Sequence, residues 1–100
     1  MHNEDMKTNN FTFTNHALVR MQQRGIPMEA IYFVAQNGLS HNTHGLQKRY
    51  INKKAWNNKI KKLDTSFIKK NEKHILSIAV VRNDDSIITV MHKNKKVRWN

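Results

Sequence analysis

Six histidines, eighteen lysines and arginines, and no cysteine bound the chemistry this 100-residue chain can offer. Lack of cysteine excludes disulfides, thiolate zinc sites, iron–sulfur clusters and a cysteine nucleophile. What remains is proton transfer by histidine and charge neutralisation by lysine and arginine. Metal-free RNA cleavage needs that set: a base for the 2′-OH, an acid for the 5′-oxygen, and cations on the pentacoordinate phosphate. His16, Arg20, Gln23 and Arg24 recur at i, i+4, i+7 and i+8, which on a helix is one face. Tyr50, Thr89, His92 and Lys93 fall in strand-like sequence. The roles expected are His92 or His16 as base or acid, Arg20 and Arg24 as phosphate clamps, and Tyr50 as positioning donor or alternative acid. The plainer alternatives are a backbone-bonding cap for His16, and for the arginines an exposed face or a salt bridge to one of the seven acids. Thr89 and His92 lie an odd number of residues apart, so a regular strand points them to opposite faces unless it bulges or ends between them.

Other chemistries lack a motif. His41, His44, His74 and His92 have no accompanying acid at ligand spacing, so no metal is expected. Neither a GxxxxGK[ST] loop nor GxGxxG occurs, and no cofactor is expected. No motif supports a Ser-His-Asp arrangement.

The formal net charge is +11. Residues 1–47 balance Lys7, Arg20 and Arg24 against Glu4, Asp5 and Glu29, so the whole excess lies in residues 48–100. A surface of this kind binds polyanions through counterion release. RNA is the expected partner, with DNA as the variant, and Arg24, Lys48, Arg49, Lys53, Lys93, Lys95, Lys96 and Arg98 as backbone contacts. Trp99, in a basic tail, is the expected stacking residue, whereas Trp56 at a helical step reads as core. The abundance of asparagine and lysine also fits an A/T-rich coding genome, such as a bacterium or its phage. No helix pairs a basic stripe with a wide apolar one, and no stretch is apolar enough to span a bilayer, so no membrane partner is expected. The first fifteen residues lack the pattern of a signal peptide, and a cytoplasmic protein is expected.

Length limits the chain to one core. Residues 1–10 read as a flexible N-terminal arm and 11–100 as a single α+β domain. Phe11 and Phe13 alternate with threonines as a short strand or extended staple. Thr14 or Asn15 then caps a helix over 15–24, with Ala17, Leu18 and Met21 inward and Gly25 as its stop. Pro27 opens a second helix, 27–37, with Met28, Ile31, Val34 and Ala35 buried and Phe33 opposite, covered by the C-terminal segment or left for a partner. Residues 38–47 read as a loop and 48–52 as a short strand. Trp56, Ile60, Leu63 and Phe67 predict one further helix over 53–70, which Asp64-Thr65-Ser66 could interrupt. A turn at 71–73, a buried strand at 75–81, hairpin chemistry at Asn83-Asp84-Asp85 and a returning strand at 86–92 follow. Residues 93–100 read as a last edge strand or a ligand-docked tail. The sum is an N-terminal helical hairpin packed on a small, mainly antiparallel sheet with one further helix.

The run His16-Ala17-Leu18-Val19-Arg20-Met21-Gln22-Gln23-Arg24-Gly25-Ile26, followed by Ile87-Ile88-Thr89-Val90-Met91-His92-Lys93, resembles a family of small bacterial and phage proteins of unknown function over roughly residues 12–98. Its pattern is HA-x-x-R-M-x-x-R-G-I, then Gly, then a Tyr-containing strand, then a V-V-x-x-D-G-x-I-I-T-V hairpin. Asp85 stands here where that family often has glycine. Those domains resemble RelE-type ribonuclease toxins, whose fold places two helices before an antiparallel sheet that carries the active site. The resemblance implies a metal-independent, toxin-like endoribonuclease neutralised by an acidic antitoxin or immunity protein. The alternatives are a non-catalytic nucleic-acid-binding or phage-encoded regulator module, and a basic protein docking on an acidic partner.

Overall fold

The computed structural model describes residues 11–93. The order is β1 (Thr12–Phe13), α1 (Asn15–Arg24), α2 (Met28–Asn37), β2 (Leu39–Thr43), β3 (Leu46–Tyr50), α3 (Lys53–Lys59) with a 3-10 turn (Ile60–Lys62), α4 (Thr65–Ser77), β4 (Ile78–Asn83) and β5 (Ser86–His92). The protein is α+β: five strands ordered β1-β5-β4-β3-β2, with four helices among the described residues. None of those helices is long and apolar enough to cross a membrane.

Both hairpins and the β3–β4 pair are antiparallel, but β1 pairs in parallel with β5. The sheet is therefore mixed. β1 stands ahead of the helical pair, so the helices lie beside the strands and do not precede them all. Thr14 joins these parts. Its hydroxyl accepts from Ala17 N at 3.1 Å, capping α1, and donates to Ile88 O at 2.8 Å. Ile88 is the extra residue of a bulge, since Val81 pairs with Thr89 but Arg82 with Ile87. The bulge turns a carbonyl out of the ladder, and the cap of α1 takes it up.

Pairing register sorts the side chains into two faces, because residues opposite one another in a ladder point the same way. One face carries Ile78, Val80, Val90, Ile87, Arg49, Arg82 and His92. Its apolar members share the core with Ala17 of α1, Ala30, Ile31, Val34 and Ala35 of α2, Trp56 of α3 and Ile75 of α4. The helices cover this face. The other carries Tyr50, Lys48, Ala79, Val81, Thr89 and Met91.

Five expectations about the elements need correction. Residues 38–47 are not a loop but hold β2 and the start of β3, joined by a two-residue turn in which His44 (φ 50) and Gly45 (φ 78) both take left-handed backbone, as a twist-matched hairpin requires. The single helix over 53–70 is two, because Leu63 and Asp64 are extended (ψ 152 and 139). The turn at 71–73 is the middle of α4, which runs to Ser77: buried Asn71 donates to Phe67 O at 3.1 Å and to Glu29 Oε2 at 2.7 Å, a tertiary contact that overrides its turn preference. Met28 is exposed, and Phe33 is covered not by the C-terminal segment but by Trp56 (5.7 Å) and Phe67 (5.6 Å). Residues 1–10 and 94–100, for which an arm and a tail were expected, lie outside the described residues.

Candidate functional site

α1 runs alongside β5 in the same direction. Thr14 meets Ile88 at one end, and at the other Arg24 Nη1 lies 2.9 Å from His92 Nδ1. Sixty-eight residues of chain separate the pair, so the contact is a product of the fold. Gly25 at φ 63 ends α1 just past Arg24, and its N–H bonds back to Gln22 O and Met21 O. His92 is the last residue of β5, held by its pairing with Ile78 and by Lys93 N donating to Ser77 O at 2.8 Å.

Arginine can only donate, so in this contact Nδ1 of His92 is the acceptor and Nε2 is the nitrogen left to donate. The corner thus presents a guanidinium and an imidazole N–H to solvent, since Arg24 and His92 are both exposed. Arg20, half-exposed, lies one turn back on the same helical face. Two cations and a donor ring in this arrangement suit a tetrahedral oxyanion, which the Arg24 N–H groups not turned to His92 can meet.

The other expected residues separate. His16 precedes Arg24 by eight residues, about 12 Å of helix rise, and is exposed at the far end of α1. It does not cap; Thr14 does. Tyr50 pairs with Ala79 and so lies on the face opposite His92. Thr89 shares the Tyr50 face, because the bulge at Ile88 precedes it and the strand is regular from there to His92. Lys93 follows Tyr50: its ammonium donates to Ile51 O at 2.9 Å and lies 6.0 Å from the Tyr50 ring centroid. Burial holds its pKa below that of an ordinary lysine. Lys48 points to this face as well, opposite Val81 and His41. Lys53 is exposed in the first turn of α3. Lys95, Lys96, Arg98 and Trp99 lie outside the described residues.

Arg49 has a different task from the phosphate contact expected of it. It faces the helices, donating from Nη1 to Gly38 O at 3.3 Å and from Nη2 to Gln47 Oε1 at 3.1 Å, while its buried Nε has no partner among the described residues. Arg82, two residues further along the same face, donates to Ala35 O at 2.9 Å and to Asp84 O at 3.0 Å. The two guanidiniums take up carbonyls at the C-terminal end of α2, where the helix leaves acceptors unpaired and its dipole favours cations. Burial, followed by the neighbouring Arg82 charge, lowers the pKa of Arg49. Arg82 went unread in the sequence, although its even spacing from Ile78 and Val80 in a buried strand is the signal that turns it inward.

A second polar cluster also went unread. Glu29 accepts from Asn71 and pairs with Lys70 at 3.4 Å; the Asn71 bond is the main cause of its lowered pKa, against some desolvation, with Lys70 adding to the lowering. Trp56 is core, as expected, and its Nε1 donates to Glu72 Oε2 at 2.6 Å. Among the described residues, no three histidine, aspartate or glutamate side chains gather as a metal site would require.

The family model of a domain of unknown function, DUF4258, matches residues 13–92, a span that holds both α1 and β5 and ends on His92. No curated protein and no solved structure matches the chain.

Proposed function

Since the chain belongs to the DUF4258 family, we propose that it is an RNA-binding protein and a metal-independent endoribonuclease related to the RelE-type toxins, acting at the corner of Arg20, Arg24 and His92. The observation that carries the reading is the 2.9 Å contact of Arg24 with His92, a guanidinium able to hold phosphate beside an imidazole able to move a proton. A phosphodiester entering the corner takes the Arg24 guanidinium, and Nδ1 of His92 is released. That nitrogen removes the proton of the 2′-OH, whose oxygen attacks phosphorus. The P–O5′ bond breaks, and the imidazolium returns the proton to the departing 5′-oxygen. The products are a 2′,3′-cyclic phosphate and a 5′-hydroxyl. Arg24 and Arg20 hold the added negative charge of the transition state. Tyr50, on the opposite face, is given no part in this step, and His16 is too far along α1 to serve as its acid.

The test is cleavage of end-labelled RNA in EDTA. His92→Ala should lower the rate by at least about 100-fold, the usual size of a general acid–base contribution, with folding intact by circular dichroism. Parental cutting by that variant, or ends other than cyclic phosphate, would refute the mechanism. One observation favours a second reading, a module that holds RNA without cutting it: of the two histidines expected to act as base and acid, His92 meets Arg24 whereas His16 lies at the far end of α1. RNA binding that depends on Arg20 and Arg24, with no cleavage by the parent, would select it. Binding to an acidic protein and to no RNA would reject both.

A further inference from the structure

Between Lys53 and Lys73 the chain carries eight lysines and two acids. Among the described residues neither acid meets a lysine. Glu72 accepts from the buried Trp56 indole, and Asp64 takes the Ser66 hydroxyl at 2.5 Å. The ion pair of Lys70 reaches across to Glu29 on α2. Lys53, Lys54, Lys61, Lys62, Lys69 and Lys73 are exposed, with no carboxylate partner among the described residues.

Their placement opposes helix stability. Lys53 and Lys54 sit in the first turn of α3, at the positive end of its dipole. Phe67, Asn71 and Ile75 define the inward side of α4, Glu72 turns toward α3 and Lys70 toward α2, so Lys69 and Lys73 are left pointing outward as like charges at i, i+4. Such a layer gains most from a polyanion that relieves its repulsion.

We propose that the lysine layer of α3, the 3-10 turn and α4 is a docking surface for the phosphate backbone of duplex RNA, formed by elements other than those of the Arg24–His92 corner. That the duplex is RNA rests on the reading above. Among the described residues base stacking has no platform here, because Trp56 is fully buried and Phe67 packs half-buried against Phe33. Lysine ammonium groups are hydrated point charges suited to backbone contact, not to the edges of bases. An acidic protein would need an apolar anchor, and the exposed large apolar residues among those described, Val19, Met28 and Leu39, lie outside the layer.

The experiment is fluorescence anisotropy in EDTA, with a blunt RNA duplex of about 16 base pairs, its single strand and the matching DNA duplex, between 50 and 200 mM salt. Six neutralised phosphates predict a log–log salt slope near −5 and about a thousandfold loss of affinity over that range. The variant with Lys53, Lys54, Lys61, Lys62, Lys69 and Lys73 changed to glutamine should lose most of the slope while keeping its circular dichroism spectrum. An unchanged slope overturns the proposal, as does tighter binding of the single strand or of the DNA duplex. Cleavage of a short single-stranded RNA separates the two readings. Parental cutting by the six-lysine variant, with duplex binding lost, supports this surface and leaves the corner intact, whereas an inert His92→Ala substitution sinks the corner alone.

Discussion

Replacing Trp56 with phenylalanine tests how α3 is held to α4. The indole is fully buried, and its Nε1 donates to Glu72 Oε2 at 2.6 Å, a bond to an ionised acceptor. Such bonds contribute about 1.5–3 kcal/mol, and the ring atoms lost from a closed site add about 1–2 kcal/mol. Trp56→Phe should therefore lower the urea-unfolding free energy by about 2.5–5 kcal/mol, a large part of the ~5–15 kcal/mol of a domain this size. Total loss alone does not identify the bond, so the decisive measurement is a double-mutant cycle with Glu72→Ala. The coupling should be about 1.5–3 kcal/mol, and additivity within about 0.5 kcal/mol would refute the claim that the bond fastens the two helices. A binding effect accompanies it. Trp56→Phe frees the Glu72 carboxylate to neutralise neighbouring lysines, so duplex RNA should bind more weakly to that variant than to the double variant, although both have lost the same indole.

Three further outcomes follow from the packing and the polar clusters. Gly38→Ala should cost more than about 3 kcal/mol in urea unfolding, because a Cβ there would lie 2.6 Å from Val34 O and 2.9 Å from both Tyr50 N and Tyr50 O, all backbone atoms that cannot yield. Gly25→Ala, with nothing within 4 Å but φ at +63, should cost only the left-handed penalty of about 1–2 kcal/mol. Glu29 has its pKa lowered in the folded chain, so its stabilisation is present above the unfolded-state value and fades as pH falls through the folded one. The stability gap between parent and Glu29→Gln should therefore be widest at neutral pH and close in acid, and a gap that widened in acid would reverse the sign of this account.

What the sequence made legible is what local periodicity and end chemistry determine. α1 spans 15–24 as its cap, its inward Ala17 and its terminal glycine require, and β5 spans 86–92 between a turn and its final histidine. The hidden parts depend on contacts distant in sequence. β2 is exposed at all five positions and leaves no alternation to read, since an edge strand joined by a tight turn needs only its backbone to pair. Residues 71–77 look like a turn and a strand until Glu29, 42 residues away, supplies the acceptor that makes Asn71 a helical residue. The same logic divides the candidate site. Helix spacing put Arg20 and Arg24 on one face, but the strand parity that separates Thr89 from His92 also separates Tyr50 from His92, and reading that second separation needs the β3–β4–β5 register, which one strand alone does not contain. The parallel course of α1 beside β5 then decides which end of the helix meets the histidine. Thr14 fastens the start of α1 to Ile88, four residues before His92, and ten residues of helix rise about as far as four of strand. Arg24 therefore reaches His92 while His16 remains beside the bulge, and a corner built on one histidine follows from those two lengths.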